Sequence, residues 1–318
     1  MSEKRVLCVG MCVLDIIHVC AEYPQEDTDR RCQNGYWQRG GNASNNSTVL
    51  RKLGAPCEFL GMISTSPAFQ FLYEDCRQRG IHIEQCPTTA MDPPFSSIIL
   101  VKSKGTRTIV HSNPGFPILT YEDFKKIDLS WYSWIHFEGR NVEETRQMIE
   151  WIRKHNQEMK NNEIKISVEL EKLNRDLFEL ASRADVVFVS KDIAEHMGWK
   201  TAKEAVYGAK EIIHDMRKKE KSEDNFKRPT TDIICPWGSV SSDCLSSSGE
   251  YDSVPAFHVN EVVDSLGAGD TFLAACIYAL HFLKKPLSQA VRYANQAAAF
   301  KIQRRGYDEI DQFQIKEI

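Results

Sequence analysis

The chain predicts an α/β fold, with a central, mainly parallel sheet covered on both faces by helices. The first observation behind this is alternation: short apolar runs of strand length are separated by longer stretches of helical character along most of the 318 residues. Parallel strands need crossover helices, and those helices then cover the sheet. The second is composition: apolar and charged fractions of 42% and 26% are ordinary globular usage, and the length is ample for a core. No internal repeat interrupts the pattern.

The elements follow in order. Residues 6–9 with 11–14 read as a strand, and a polar stretch at 22–31 turns the chain. Residues 44–53 and 68–79 read as helices with a buried strand, 57–60, between them. Residues 95–101 and 106–110 flank Ser103-Lys104-Gly105 and look like a hairpin. Strands are expected at 134–138, 164–169, 186–189 and 233–235, and helices at 142–154 and 202–216, with two more helices near the C-terminus. The hairpin and the turn segment 21–38 stand outside the strand–helix alternation. An edge extension of the main sheet is one place for the hairpin. Residues 217–229, rich in both charge signs, read as a solvated insertion.

The formal charge of −4 gives no electrostatic footprint for nucleic acid or an anionic membrane. Ten cysteines contain no Cys-x-x-Cys pair, and several lie in apolar runs, as small buried hydrophobes in a reducing compartment do. Lys4-Arg5 before an apolar run to Cys20 resembles a signal peptide superficially. Asp15 and His18 interrupt it, no small-residue cleavage site follows, and it is too short and polar to span a membrane. A cytoplasmic location is expected, so the sequons at Asn42, Asn45 and Asn46 should carry no glycan.

The most informative stretch is Asp264-Ser265-Leu266-Gly267-Ala268-Gly269-Asp270-Thr271-Phe272, which runs on into an apolar, helix-like segment. Two glycines one residue apart let successive N–H groups aim at one point, and the helix N-terminus behind them also favours negative charge. A carboxylate there, Asp270, would repel a phosphate unless it accepts a proton from an attacking hydroxyl. A tight turn in which Asp270 or Thr271 caps a structural helix is the alternative. A second glycine pair opens Gly40-Gly41-Asn42-Ala43-Ser44-Asn45-Asn46, where amides and hydroxyls in a first helical turn suit a polyhydroxylated ligand.

Together, Gly-Gly-Asn-x-Ser-Asn and Asp-x-x-Gly-Ala-Gly-Asp resemble the ribokinase-like (PfkB) family of carbohydrate and nucleoside kinases. Trp37 to Asn45, Leu53 to Cys57, Trp134 to Arg140, Val187 to Asp192 and Asp15 are similar in particular to its fructose-phosphorylating branch. The similarity runs from residue 4 to about residue 310 and is weakest near 205–250. It implies a three-layer α/β kinase domain over residues 1–318, with a small β-sheet lid formed by segments of about 12–38 and 95–112. The activity implied is ATP-dependent phosphorylation of the 1-hydroxyl of D-fructose. A kinase for ribose or adenosine, or a catalytically weak sugar or nucleotide sensor, is the alternative.

By the same resemblance Asp270 is the general base, with the N–H groups of Gly267, Ala268, Gly269 and Asp270 around the transferring phosphoryl group. Asp15 (at the end of the first strand), Gly41, Asn42 and Asn45 would bind the sugar. Turn or cap roles remain open for Asp15 and the two asparagines. Asp27, in a lid strand, would reach a partner subunit's sugar, or else sit in a solvated turn. Arg107 on the hairpin would meet the phosphates, or be an exposed edge arginine. Gly238 and Ser241 mark the nucleotide-side loop, Ser241 where glycine is expected. The Asn-x-x-Glu element of many relatives is not evident in Ser190 to Glu195. ATP and Mg²⁺ are the implied cofactors, with K⁺ a candidate through Asp264, and the implied assembly is a homodimer through the lid.

Overall fold

The computed structural model describes residues 4–113, 115–159, 163–219 and 230–315, so most of the mixed-charge stretch 217–229 lies outside the described residues. Strand β1 (Arg5–Val9) opens the main sheet. The chain then leaves it to form the hairpin β2 (Val13–Cys20) and β3 (Asn34–Gly40), and α1 (Asn42–Lys52) brings it back to β4 (Cys57–Leu60). The short strands β5 (Ile63–Ser64) and β6 (Thr88–Thr89) enclose α2 (Gln70–Gln78), and β7 (Phe95–Val101) and β8 (Thr106–Ser112) follow. The next elements are α3 (Tyr121–Phe124), β9 (Tyr132–Glu138), α4 (Val142–Glu158), β10 (Lys165–Leu170), α5 (Phe178–Ala181), β11 (Val186–Val189), α6 (Lys191–His196), α7 (Ala202–Lys219) and β12 (Asp232–Pro236). The hairpin partners β13 (Ser241–Leu245) and β14 (Tyr251–Pro255) precede α8 (Ala268–His281) and α9 (Leu287–Ile302).

Eight strands form the main sheet in the order β14-β13-β12-β11-β10-β9-β1-β4. The strands from β4 to β12 pair in parallel, and only β13 and β14 add antiparallel edges. Helices α1, α8 and α9 pack against one another, and α3 to α7 form the second group, so both faces are covered. Val6, Leu7, Cys8, Ile166, Val168 and Val187 are fully buried between these layers. Each large aliphatic side chain so buried contributes about 2 kcal/mol. Helix α1 ends where Gly54, at φ +93°, allows its N–H and that of Ala55 to close back on Arg51 and Leu50.

The hairpin is not an edge extension of the main sheet. Strands β3, β2, β7 and β8 make a separate four-stranded sheet in that order, β7 lying parallel to β2 with Asp15 opposite Ser96. The single strand expected across 6–14 is likewise two strands in two sheets. The break falls at Gly10, where a Cβ would come within 2.7 Å of Ala43 and Glu138 side-chain atoms. One face of the second sheet, through Ile17 and Ile98, packs on Leu266 just before α8.

Candidate active site

Helix α8 begins from Gly267, held left-handed at φ +72°. A Cβ at Gly267 would lie 1.8 Å from the Tyr307 hydroxyl oxygen, so only glycine fits. Among the described residues the Gly267, Gly269 and Asp270 N–H groups have no acceptor. The Ala268 N–H donates to Ser265 O at 3.3 Å, so the tight turn takes one of the four donors expected at this point. Beside Gly269 there is open space: a Cβ there would meet nothing within 4 Å. Unpaired N–H groups at a helix N-terminus, beside open space at Gly269, can receive an anion.

Asp270 stands in the first turn of α8, buried, and makes no capping bond. Its Oδ2 instead accepts from Asn45 Nδ2 at 2.7 Å, and its carbonyl accepts from Asn46 Nδ2 at 3.0 Å. The helix-cap alternative is therefore not what the geometry holds. Burial raises the Asp270 carboxyl to about 7; Asn45 opposes the rise, and Glu171, Glu138 and Asp15 reinforce it.

Asp15 lies within β2 of the second sheet and not at the end of the first strand, because the chain has already changed sheets. It is buried, and desolvation raises it to about 6 against hydrogen bonds from Ser96 and Gln38. Gly40 makes room for it, since a Cβ there would fall 2.1 Å from Asp15 Oδ2. Gly41, at φ +93°, would set a Cβ 2.2 Å from Met11 O, so the entry to α1 also requires glycine. One turn apart on α1, Asn42 and Asn45 reach different carboxylates: Asn45 Nδ2 donates to Asp270, whereas Asn42 Nδ2 donates to Glu169 at 3.1 Å and Glu171 at 3.0 Å.

Sequence reasoning missed Glu138, Glu169 and Glu171. Glu138 Oε2 accepts from the Met11 N–H at 3.0 Å, and Arg140 pairs with its Oε1 at 2.5 Å. Burial raises Glu138, but Arg140, the Met11 N–H and Lys172 outweigh it and leave the carboxyl below its ordinary value. Glu169 goes the other way, raised by burial and by Glu171, Asp270 and Glu138. A signal was present: Glu138 ends one strand and Glu169 stands one residue before the end of the next, and α/β proteins place ligand groups at C-terminal strand ends.

The peripheral expectations divide. Asp27 is not on a strand: it lies exposed in the turn between β2 and β3, with φ +57°, outside the pairing of either strand. Arg107 is exposed on the edge strand β8, yet close enough to act electrostatically on Lys301. Gly238, at φ +63°, turns the β12–β13 hairpin, where the Trp237 N–H donates to Ser241 O at 2.7 Å. The Ser241 hydroxyl donates to Asp243 at 2.9 Å, so the expected nucleotide-side loop is the tight turn of a paired hairpin, with Ser241 the first residue of β13.

A buried carboxylate of raised pKa, set against unpaired N–H groups and ringed by amides and carboxylates, belongs to a phosphotransferase whose acceptor is an alcohol. Residues 3–312 match the pfkB family of carbohydrate kinases, and the chain belongs to that family. It is 41% identical to ketohexokinase of Mus musculus over 312 residues, 98% of this chain and all of the mouse protein. Its fold is similar to ribokinase from Giardia lamblia, with a TM-score of 0.79 and 16% identity over 97% of each chain. Arabidopsis thaliana ribokinase, solved with ribose and ATP, aligns with a TM-score of 0.74 and 17% identity over 98% of this chain and 99% of its own.

Proposed function

We propose that this carbohydrate kinase transfers the γ-phosphoryl group of ATP to the 1-hydroxyl of D-fructose, giving fructose 1-phosphate and ADP. The observation that carries the chemistry is the Asp270 carboxylate held by Asn45 beside the free N–H groups of Gly267, Gly269 and Asp270. The likeness to mouse ketohexokinase over nearly the whole chain carries the choice of sugar.

In this reading, the Asp270 carboxylate takes the proton of the sugar hydroxyl as its oxygen forms a bond to the γ-phosphorus. The bond from that phosphorus to the bridging oxygen breaks, and ADP leaves. The N–H fork meets the charge on the phosphoryl oxygens, and losing one such donor costs about 3 kcal/mol of barrier. Asp15, Asn42 and Glu138 line the sugar side, and Gly41 lets α1 start close to it. Arg107, Gly238 and Ser241 are assigned to the nucleotide side.

Magnesium is the divalent ion assigned here; bound to ATP, it neutralises charge across the terminal phosphates. Two carboxylates, Glu169 and Glu171, share the Asn42 amide at 3.1 and 3.0 Å and would hold the ion, the described residues offering no cluster of three or more metal-ligating side chains. Potassium, assigned through Asp264, would share that carboxylate with Lys301 Nζ, which lies 2.9 Å from it.

We also assign residues 1–318 to one kinase domain, with the second sheet as its lid. The outward face of that sheet carries Trp37, Ile16, Ser97 and Val110 in one row across β3, β2, β7 and β8, with Trp37 and Val110 56% and 61% exposed. A row with three of its four residues apolar, on an uncovered sheet, suits a second copy of the chain, which favours a homodimer. A cytoplasmic location suits ten free cysteines, and no helix among the described residues is long and apolar enough to cross a membrane. Release of ADP measured with fructose, ribose, adenosine and no sugar tests the activity. A rate specific to fructose supports it, whereas equal or greater turnover of ribose or adenosine transfers the enzyme to the alternative substrate.

A further inference from the structure

Lys301 lies in the last turn of α9 with its side chain fully buried. Its Nζ donates to the carbonyl of Asp264 at 3.0 Å, to Asp264 Oδ2 at 2.9 Å and to the carbonyl of Leu266. Three oxygen acceptors for three N–H bonds describe a protonated ammonium, since a neutral amine has only two to give. The Tyr307 ring lies 5.5 Å from the same nitrogen, and the Tyr307 hydroxyl backs onto Gly267. A buried lysine is costly unless its charge and hydrogen bonds are answered, and here each is.

What Lys301 grips is the segment that leads into the N–H fork. Asp264 Oδ1 accepts from the Leu266 N–H at 2.9 Å, and Oδ2 also accepts from the Gly306 N–H at 3.0 Å. The Val263 and Asp264 N–H groups both donate to Ile302 O, at 2.8 and 3.1 Å. Residues 263–266 are thereby tied to the C-terminal end of α9, and Gly267 follows directly.

We propose that Lys301 is a positioning residue for phosphoryl transfer, an internal cation whose ammonium fixes the Asp264–Leu266 backbone and so aims the N–H groups of Gly267, Gly269 and Asp270. This rests on the kinase reading of the site. The ammonium draws in two carbonyls and a carboxylate as a bound cation would, but it is tethered through α9, so the fork's direction is set before any phosphate arrives. Preorganised donors act on the transition state because they need not turn when charge develops. Burial lowers the Lys301 pKa, and Asp264 followed by Asp270 opposes that.

The test is steady-state kinetics with fructose and MgATP on wild type, Lys301→Met (neutral, similar in length) and Lys301→Arg (charge kept), with melting temperature recorded alongside. The Met variant should lose about tenfold or more in kcat, with the sugar KM within about twofold of wild type, as loss of a transition-state contact requires. The Arg variant should recover part of that rate. In Lys301→Ala, ammonium chloride should restore turnover where tetramethylammonium chloride at equal ionic strength does not. A Met variant that melts earlier but keeps its kcat would reduce Lys301 to a structural tie and overturn the proposal. If the Met variant does not fold, Asp264→Asn/Lys301→Met removes both charges together; the same loss of kcat supports the proposal, and an undiminished kcat overturns it. Failure of wild type itself to phosphorylate fructose would instead count against the substrate assignment.

Discussion

Asn45 Nδ2 donates to Asp270 Oδ2 at 2.7 Å, joining the opening turns of α1 and α8 across 225 residues of sequence. Asn46 adds a bond to the Asp270 carbonyl, so α1 holds both ends of that residue. The asparagine expected to bind sugar thus has its amide nitrogen on the candidate base, while its Oδ1 has no partner. That buried, unpaired oxygen remains available to a hydroxyl of the bound sugar.

Asp270→Asn should lower kcat by roughly two to four orders of magnitude and leave sugar binding intact, as loss of a general base does. It should also stabilise the fold at neutral and alkaline pH. The folded pKa is raised from 3.8 to about 7, so the stability contribution of Asp270 is full in acid and is lost as pH rises through that interval. Above pH 7, removing the ionisation cost is worth on the order of 4 kcal/mol, a shift of several degrees in Tm. Calorimetry at pH 5 and pH 8 checks this; a Tm gain no larger at pH 8 than at pH 5 refutes it.

Asn45→Ala should move the acidic limb of the pH–rate profile upward. The Asn45 bond lowers the Asp270 pKa, so without it the carboxylate ionises at still higher pH. A profile of kcat against pH for wild type and variant decides the matter, and an unmoved limb would separate Asn45 from the proton acceptor. Asn42→Ala, by contrast, should raise the sugar KM more than the ATP KM, as its assignment to the sugar side requires. A rise confined to the ATP KM would instead tie its amide to the Glu169 and Glu171 carboxylates it holds at 3.1 and 3.0 Å.

Gly40→Ala should impair sugar binding through Asp15. The added methyl would lie 2.1 Å from Asp15 Oδ2, and the carboxylate must swing away. A sugar KM raised by about tenfold, the value of one lost charged hydrogen bond, is expected with a folded protein. An unchanged KM would show that Asp15 does not touch the sugar.

Trp37→Glu should favour the monomer, because a charge in the exposed row on the outward face of the second sheet opposes burial there. Sedimentation at micromolar protein should give a dimer for wild type and a smaller species for the variant. Mixing Asp27→Ala with Asp270→Asn chains should restore one working site per mixed dimer if Asp27 serves the partner subunit. No recovery would leave Asp27 as the exposed turn residue it is within one chain.

Much of this was legible in the chain itself. Strand–helix alternation specifies the parallel sheet because each buried parallel strand needs a crossover helix. Gly267-Ala268-Gly269-Asp270 announced an anion seat through the backbone freedom of glycine, and that inference is local. The antiparallel strands β13 and β14 were missed because Ser-Ser-Asp-Cys-Leu and Tyr-Asp-Ser-Val-Pro are short and mostly polar, with neither an apolar run nor a clean alternation.

Only the tertiary structure decided the rest. Nothing local in Lys301 says that its ammonium is buried on Asp264, or in Glu169 that it meets Asn42. Nor does residue 15 reveal that the chain has crossed into a second sheet. Those facts depend on which C-terminal strand ends and helix N-termini converge, and convergence is set by packing between residues far apart in sequence. Local chemistry names the groups that can act; long-range packing determines which of them share a cavity, and sharing it shifts the Asp270 pKa.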